Sequence, residues 1–274
     1  MAFAGSMLDA QGSETMSAGS VAAIMIVRFP FLMVLASFLG LWLCVTLGAR
    51  LRQKSGPLSP DERDDFNVIQ GATLTLLGLI VGFSFSMALS RFDQRQRYER
   101  IEADAISTEY LRLDLLTGNT AAEDVRRLLK RFLEERIRWY ESSDPRQIEQ
   151  INRETIELQN ELWQAAREEA AQQQTPITAL VISGMNDVLS LQGNTQAAWW
   201  NRIPFAGWGL MGLIAAFSSA MIGHGARTVR PVRFPIFPLV IAIAFFFIAD
   251  LDSPYGGFIH VYPRDLLTLA DSLK

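Results

Sequence analysis

Apolar residues along the 274-residue chain gather into four runs: Phe29 to Ala49, Val68 to Leu89, Ile203 to Ile222 and Ile236 to Ala249. A helix needs roughly 20 apolar residues to cross a hydrocarbon core about 30 Å thick, and the first three runs reach that length without an internal charge. The fourth has roughly 14, a length more typical of a buried or re-entrant segment. Val232, Phe234 and Leu251 extend it, and Arg227, Arg230, Arg233, Asp250 and Asp252 flank it in polar sequence. It is therefore counted as a fourth crossing.

Between the second and third runs the chain is polar, yet its periodicity is helical. Ser90 passes into Arg91 with no proline or turn residue, so one helix is predicted to leave the membrane and continue into water. Tyr98, Ile101, Ala105, Thr108, Leu111 and Leu115 then recur at three- and four-residue steps and predict the buried face of this stem. It is expected to end near Thr117-Gly118-Asn119. A capping box, Thr120 with Glu123, announces the next helix, with Val125, Leu128, Leu129, Phe132, Ile137 and Tyr140 on its apolar face. Asp144-Pro145 and Thr175-Pro176 each place a capping oxygen before a proline suited to a first helical turn. The helices they open carry Ile148, Ile151, Leu158 and Leu162, and Ile177, Leu180, Val181, Met185, Val188 and Leu191 inward.

No strand-like alternation or internal repeat is present. The expected fold is all-α: a polytopic membrane protein of about four transmembrane helices with a helical extramembrane bundle inserted between the second and third. Residues 1–20 read as a flexible polar tail, 21–90 as the first two crossings and 91–202 as the bundle. The third and fourth crossings occupy 203–252, and 253–274 form a C-terminal segment.

Composition narrows the chemistry. A formal charge of −4 and no basic strip interleaved with aromatics argue against nucleic-acid binding. The single cysteine, Cys44, can form no intramolecular disulfide. No Gly-rich phosphate loop, HExxH or CxxC occurs, and the two histidines, His224 and His260, lack partners in sequence that would make a site. Glu102, Asp104, Glu109 and Asp114 read as a solvated face or helix ion pairs rather than an acid cluster. Neither catalysis nor a cofactor is expected.

The second apolar run carries two stripes. Gly78, Gly82, Ser86 and Ser90 repeat every fourth residue and put small side chains along one face, where another helix can approach closely. Thr75, Leu79, Phe83 and Met87 repeat likewise on a face about 100° away. That second stripe either faces lipid or a neighbouring helix, or it points to an axis shared by several subunits and forms a hydrophobic constriction.

The runs "LGLIVGFSFSMALSRFDQRQRYER", "EADAISTEYLRLDLL" and "ADLDSPYGGFIHV" resemble the bacterial bestrophin-like domain family of integral membrane proteins, from about Asn67 onward. More distantly, Gly82-Phe83 with "SMALSRF" resembles the second helix of bestrophins, and "DLDSPYGG" the turn after their last membrane helix. Bestrophins are pentameric anion channels. The resemblance implies a homo-oligomer in membrane lipid, in the bacterial inner membrane, passing small anions through an apolar neck at Thr75, Leu79 and Phe83. Gly78, Gly82 and Ser86 would pack that helix, and Arg91, Arg95 and Arg97 would raise the anion concentration at its mouth.

Two departures qualify the match. Thr75 is polar where an apolar neck residue is expected, and no acidic run follows Gly257 to form a calcium clasp. Asp250 and Asp252 are weak metal candidates, more readily read as capping a helix or pairing with Arg264. Orientation divides the signals. Arg50, Arg52, Lys54, Arg63, Arg227, Arg230 and Arg233 fall in two short loops that the positive-inside rule places in the cytoplasm. The resemblance, with Arg91, Arg95, Arg97 and Arg100, puts the bundle there instead, and a cytoplasmic bundle is expected. The alternative function is a non-conducting membrane scaffold or sensor whose bundle binds a partner. A transporter is disfavoured because no spanning run holds an internal acid or base.

Overall fold

The computed structural model describes residues 30–56, 59–116, 120–172, 175–226, 235–253 and 257–274. Residues 1–20, the Thr117-Gly118-Asn119 break, the Thr120 side chain and Arg227, Arg230 and Arg233 lie outside the described set. Every regular element among the described residues is helical: α1 (Pro30–Ser55), α2 (Pro60–Arg112), α3 (Thr120–Glu141), α4 (Pro145–Gln172), α5 (Pro176–Trp200), α6 (Phe205–Gly225), α7 (Ile236–Asp252) and α8 (Arg264–Ser272), with a 3₁₀ turn at Leu113–Leu115.

Three helical stretches, Leu32–Lys54, Pro60–Leu115 and Pro176–Gly225, are long and apolar enough to cross a membrane. α7 is apolar but has 17 residues.

The predicted continuity at Ser90 is observed. α2 runs 53 residues, about 80 Å at 1.5 Å per residue, with no break where the apolar run gives way to Arg91. It begins well before the apolar run, at a capping box that satisfies exposed amides reciprocally. The Ser59 amide donates to Glu62 Oε2 at 2.7 Å, and the Glu62 amide to Ser59 Oγ at 3.3 Å. These bonds hold the Glu62 carboxyl below its ordinary range. α4 and α5 start at the expected prolines. Asp144 Oδ1 accepts from the Arg146 amide at 3.1 Å, and Thr175 Oγ1 from the Thr178 amide at 3.2 Å.

The chain divides into two compact units. One comprises Met1–Leu77 with Gly212–Ala249, the other Gly78–Met211 with Asp250–Lys274. In the first unit α1 and α6 meet at glycines. A Cβ on Gly48 would overlap the Ala220 carbonyl, and one on Gly223 the Val45 carbonyl, so the backbones touch where small residues allow it. Leu41 and Val45 are buried in this unit, with Ala215, Ala242, Phe245 and Ile248. His224 packs against the Phe66 ring, 5.7 Å between centroids.

The second unit is the helical bundle. α3 packs on α4 and α8, and α4 on α5. Its core takes Val125, Leu129 and Phe132 from α3, Ile148, Ile151, Leu158 and Leu162 from α4, and Val181, Met185 and Val188 from α5. These are the apolar faces predicted from spacing, except that Ile177 and Leu180 are exposed.

The stem departs from expectation more sharply. Ile101, Thr108, Leu111 and Leu115 were expected on its buried face; Ile101, Leu111 and Leu115 are exposed and Thr108 is also open to solvent. The face turned into the bundle is Arg95, Glu99, Glu102, Ala103, Ile106, Glu109 and Leu113, all buried. Glu102 and Glu109 are therefore not on a solvated face, although Glu109 does make a helix ion pair, with Arg112 three residues on. Asp104 and Asp114 are exposed, as expected, and Asp114 pairs with Arg126.

Candidate functional site

Within the apolar part of α2 the stripe of interest stands open. Leu79 and Phe83 keep 52% and 65% of their surface, and Thr75 lies on the same open face. The Thr75 hydroxyl donates to the Gly71 carbonyl one turn back at 2.9 Å. Its polar hydrogen is thereby satisfied within the helix, which reduces the cost of a threonine in an apolar stripe. On the small-residue stripe, a Cβ added at Gly78 or Gly82 would meet no described atom of this chain within 4 Å, and Ser86 is exposed. Among the described residues the glycines that bring two helix backbones together are Gly48 and Gly223, not this stripe.

Just beyond the apolar run Arg91 and Arg95 are anchors. Arg91 Nη1 donates to Asp252 Oδ1 at 3.1 Å. Arg95, 1% exposed, gathers the carboxyl ends of two helices. Its Nε donates to the Ala198 carbonyl at 3.4 Å, its Nη1 to Leu251 at 3.1 Å, and its Nη2 to Asn201 and Asp252 at 3.3 and 3.1 Å. The last carbonyls of a helix have no intrahelical donor and carry the negative end of its dipole. A guanidinium can serve several at once because its donors are fixed in a planar fork. Arg97 remains exposed to solvent.

Asp252 completes the joint by accepting from the Ile203 amide, with its two oxygens at 3.1 and 3.0 Å. Asp250 accepts from the Phe258 and Ile259 amides, each at 2.9 Å. It closes a turn in which Gly257 holds φ +134°, and a Cβ there would run into the Asp250 carboxylate. Neither aspartate pairs with Arg264. Among the described residues no group of three or more His, Cys, Asp or Glu side chains is arranged to hold a metal ion.

Deeper in the bundle, Glu102 is met by the Arg136 guanidinium through Nε, with Nη2 3.4 Å from its second oxygen. The Tyr140 hydroxyl donates to that oxygen at 3.2 Å, and the Thr195 hydroxyl lies 3.3 Å from it. Burial holds the Tyr140 phenol well above its ordinary range, with the Glu102 charge acting in the same direction, so it stays a donor. Arg136 also lies over the Trp139 and Tyr140 rings at 4.6 and 5.7 Å.

Glu109 is less well supplied. Arg112 is 3.6 Å away, and among the described residues neither carboxylate oxygen has a hydrogen-bond partner. Burial pushes this carboxyl up to about 7, against the pull of Arg112 and with help from Asp187. Gly184 lies so close that a Cβ there would enter the Glu109–Arg112 pair. Spacing could have found this charged face, since 95, 99, 102, 106, 109 and 113 follow three- and four-residue steps. Nothing local shows that its partners lie in α3, α5, α7 and α8.

An all-helical chain with apolar, lipid-length helices and a second helix running on into a bundle defines a polytopic membrane protein. The Bestrophin-like domain model matches residues 31–266, and the chain belongs to that family. Its fold is similar to that of a bacterial bestrophin homologue from Klebsiella pneumoniae carrying a tryptophan-to-alanine mutation. The TM-score is 0.62 and the identity 13%, covering 87% of this chain and 98% of that one. No curated protein matches.

Proposed function

We propose that this bestrophin-like membrane protein assembles with copies of itself into an anion channel, with Thr75, Leu79 and Phe83 of α2 lining an apolar neck. The observation that carries this reading is the exposed Leu79–Phe83 stripe beside glycines that no described part of the chain covers. In an assembly, Gly78, Gly82 and Ser86 let a neighbouring helix approach closely, and the stripe then turns to the shared axis. A ring of such side chains gates by wetting and dewetting.

Exposed Ile101, Leu111 and Leu115 extend the apolar surface of the stem beyond its membrane run. Uncovered apolar residues of this kind favour assembly. Arg97 raises the local anion concentration at the mouth, whereas Arg91 and Arg95 contribute charge while committed to Asp252 and the helix ends. α7, about 25 Å long at 1.5 Å per residue, makes a fourth crossing of the inner membrane, with the bundle in the cytoplasm.

In proteoliposomes containing the confirmed oligomer, an imposed chloride gradient is expected to drive flux. Leu79→Ala combined with Phe83→Ala should raise that flux at least several-fold by removing the constriction. If the oligomer is intact and neither wild type nor the double variant conducts, the neck is not a conduit. The scaffold reading, in which the exposed stem residues bind a partner, then takes its place.

A further inference from the structure

Three glutamates on the buried face of α2 are sealed in the bundle, and among the described residues only Glu102 is hydrogen-bonded to a cation. Glu99 is bonded instead to a helix start. Its Oε1 accepts from the Asp265 and Leu266 amides at 2.9 and 3.0 Å, two of the three amides that the first turn of α8, capped by Pro263, leaves without an intrahelical acceptor. The rest of α8 is fixed by burial of Leu266 and Leu269 and by Lys130 of α3, whose ammonium donates to the Leu273 carbonyl.

The groups around Glu99 do not neutralise it. From α8 the Asp265 carboxylate adds like charge, and Arg264 makes no ion pair with Glu99. From α3 comes the Tyr140 phenol, bonded to Glu102. On α2 itself Glu102 is spent on Arg136, and Arg95, one turn back, is committed to four carbonyls. An ionised carboxylate in this position has lost its water and gained two amide bonds and a helix dipole, but no counter-ion.

We propose that Glu99 is a proton-linked clasp for α8, docking the helix more firmly when the carboxyl is neutral and loosening it when the carboxyl ionises. Burial pushes the Glu99 carboxyl up to about 7, opposed by the Leu266 amide and reinforced by Asp265. If α8 lifts away, Glu99 regains water and its ordinary carboxylate range near 4.5. Between these two values the docked form holds a proton that the undocked form has lost, so docking weakens as pH rises and levels off above about 7. Because Glu99 sits on the helix that carries Leu79 and Phe83, the clasp links proton concentration to the grip of the bundle on α2. The clasp does not depend on whether the chain conducts.

Hydrogen exchange of the intact protein in lipid nanodiscs, corrected for the intrinsic pH dependence of exchange, tests this at the α8 amides. The protection of Leu266 to Ser272 is expected to fall about tenfold per pH unit between roughly pH 5 and 7 and then flatten. α4 amides should show no such slope. Glu99→Gln, whose amide oxygen still accepts both N–H bonds, should flatten the α8 profile. Should that variant fail to fold, Asp265→Asn gives a second test, because removing the like charge should move the inflection to lower pH. A flat wild-type profile, an unchanged slope in Glu99→Gln, or an unmoved inflection in Asp265→Asn would overturn the proposal.

Discussion

Replacing Arg95 with methionine is expected to destabilise the bundle by about 3–5 kcal/mol, the scale of removing one partner from a buried charged network. Methionine preserves much of the length and apolar stem but none of the donors. The carbonyls of Ala198, Asn201, Leu251 and Asp252 are then left facing an apolar side chain at the ends of α5 and α7. Each buried carbonyl that loses its donor costs about 1–3 kcal/mol, reduced where water can enter. Lysine should restore only part of the loss, because a single ammonium cannot reach four carbonyls that a planar fork spans. Thermal unfolding in lipid or detergent checks this. Arg95→Met should melt roughly 10 °C below wild type and Arg95→Lys in between. An unchanged midpoint for Arg95→Met would mean that the carbonyls find other donors and that the arginine does not hold the helix ends.

The second large effect concerns the buried Glu102–Arg136 pair. Glu102→Ala leaves a guanidinium with no exposed surface and no carboxylate, at an expected cost of about 3–5 kcal/mol. The Trp139 and Tyr140 rings under Arg136 recover a fraction of that, since a desolvated cation–π contact is worth about 2 kcal/mol. Replacing both partners, Glu102→Leu with Arg136→Met, removes both charges together and should come out far closer to wild type than Glu102→Ala. Denaturant or thermal melts of the single and double variants close the cycle. If the double replacement is as damaging as the sum of the singles, the two side chains do not act as a pair.

These two networks mark where the sequence was legible and where it was not. The apolar runs, the uninterrupted passage through Ser90, the starts of α4 and α5 at Asp144-Pro145 and Thr175-Pro176, and the core faces of α3 and α4 follow from periodicity and capping rules that act over a few residues. The family resemblance was readable from the α2 and α7 segments.

The orientation of the stem was not. Hydrophobic periodicity selected Ile101, Leu111 and Leu115 because apolar side chains are the usual inward ones. A buried arginine or glutamate is stable only when its partners are in place, and those of Arg95, Glu99 and Glu102 lie 34 to 167 positions away in the chain. Asp250 and Asp252 illustrate the same limit. Their spacing allows a metal, a helix cap or an ion pair, and only the fold brings Arg91, Ile203, Phe258 and Ile259 to them. The Leu79–Phe83 stripe was legible as a pattern, but nothing in one chain's sequence says what covers it.

The most direct test of the neck is therefore a cross-link between copies. With Cys44 replaced by serine and Phe83→Cys introduced, oxidation in native membranes is expected to yield covalent dimers. A cysteine placed at exposed Leu39 of α1 should stay uncross-linked. Dimers at position 83 without dimers at 39 are the predicted result. Position 83 labelled only by lipid-soluble reagents, with no dimer in a confirmed oligomer, would contradict the account and place the stripe against lipid.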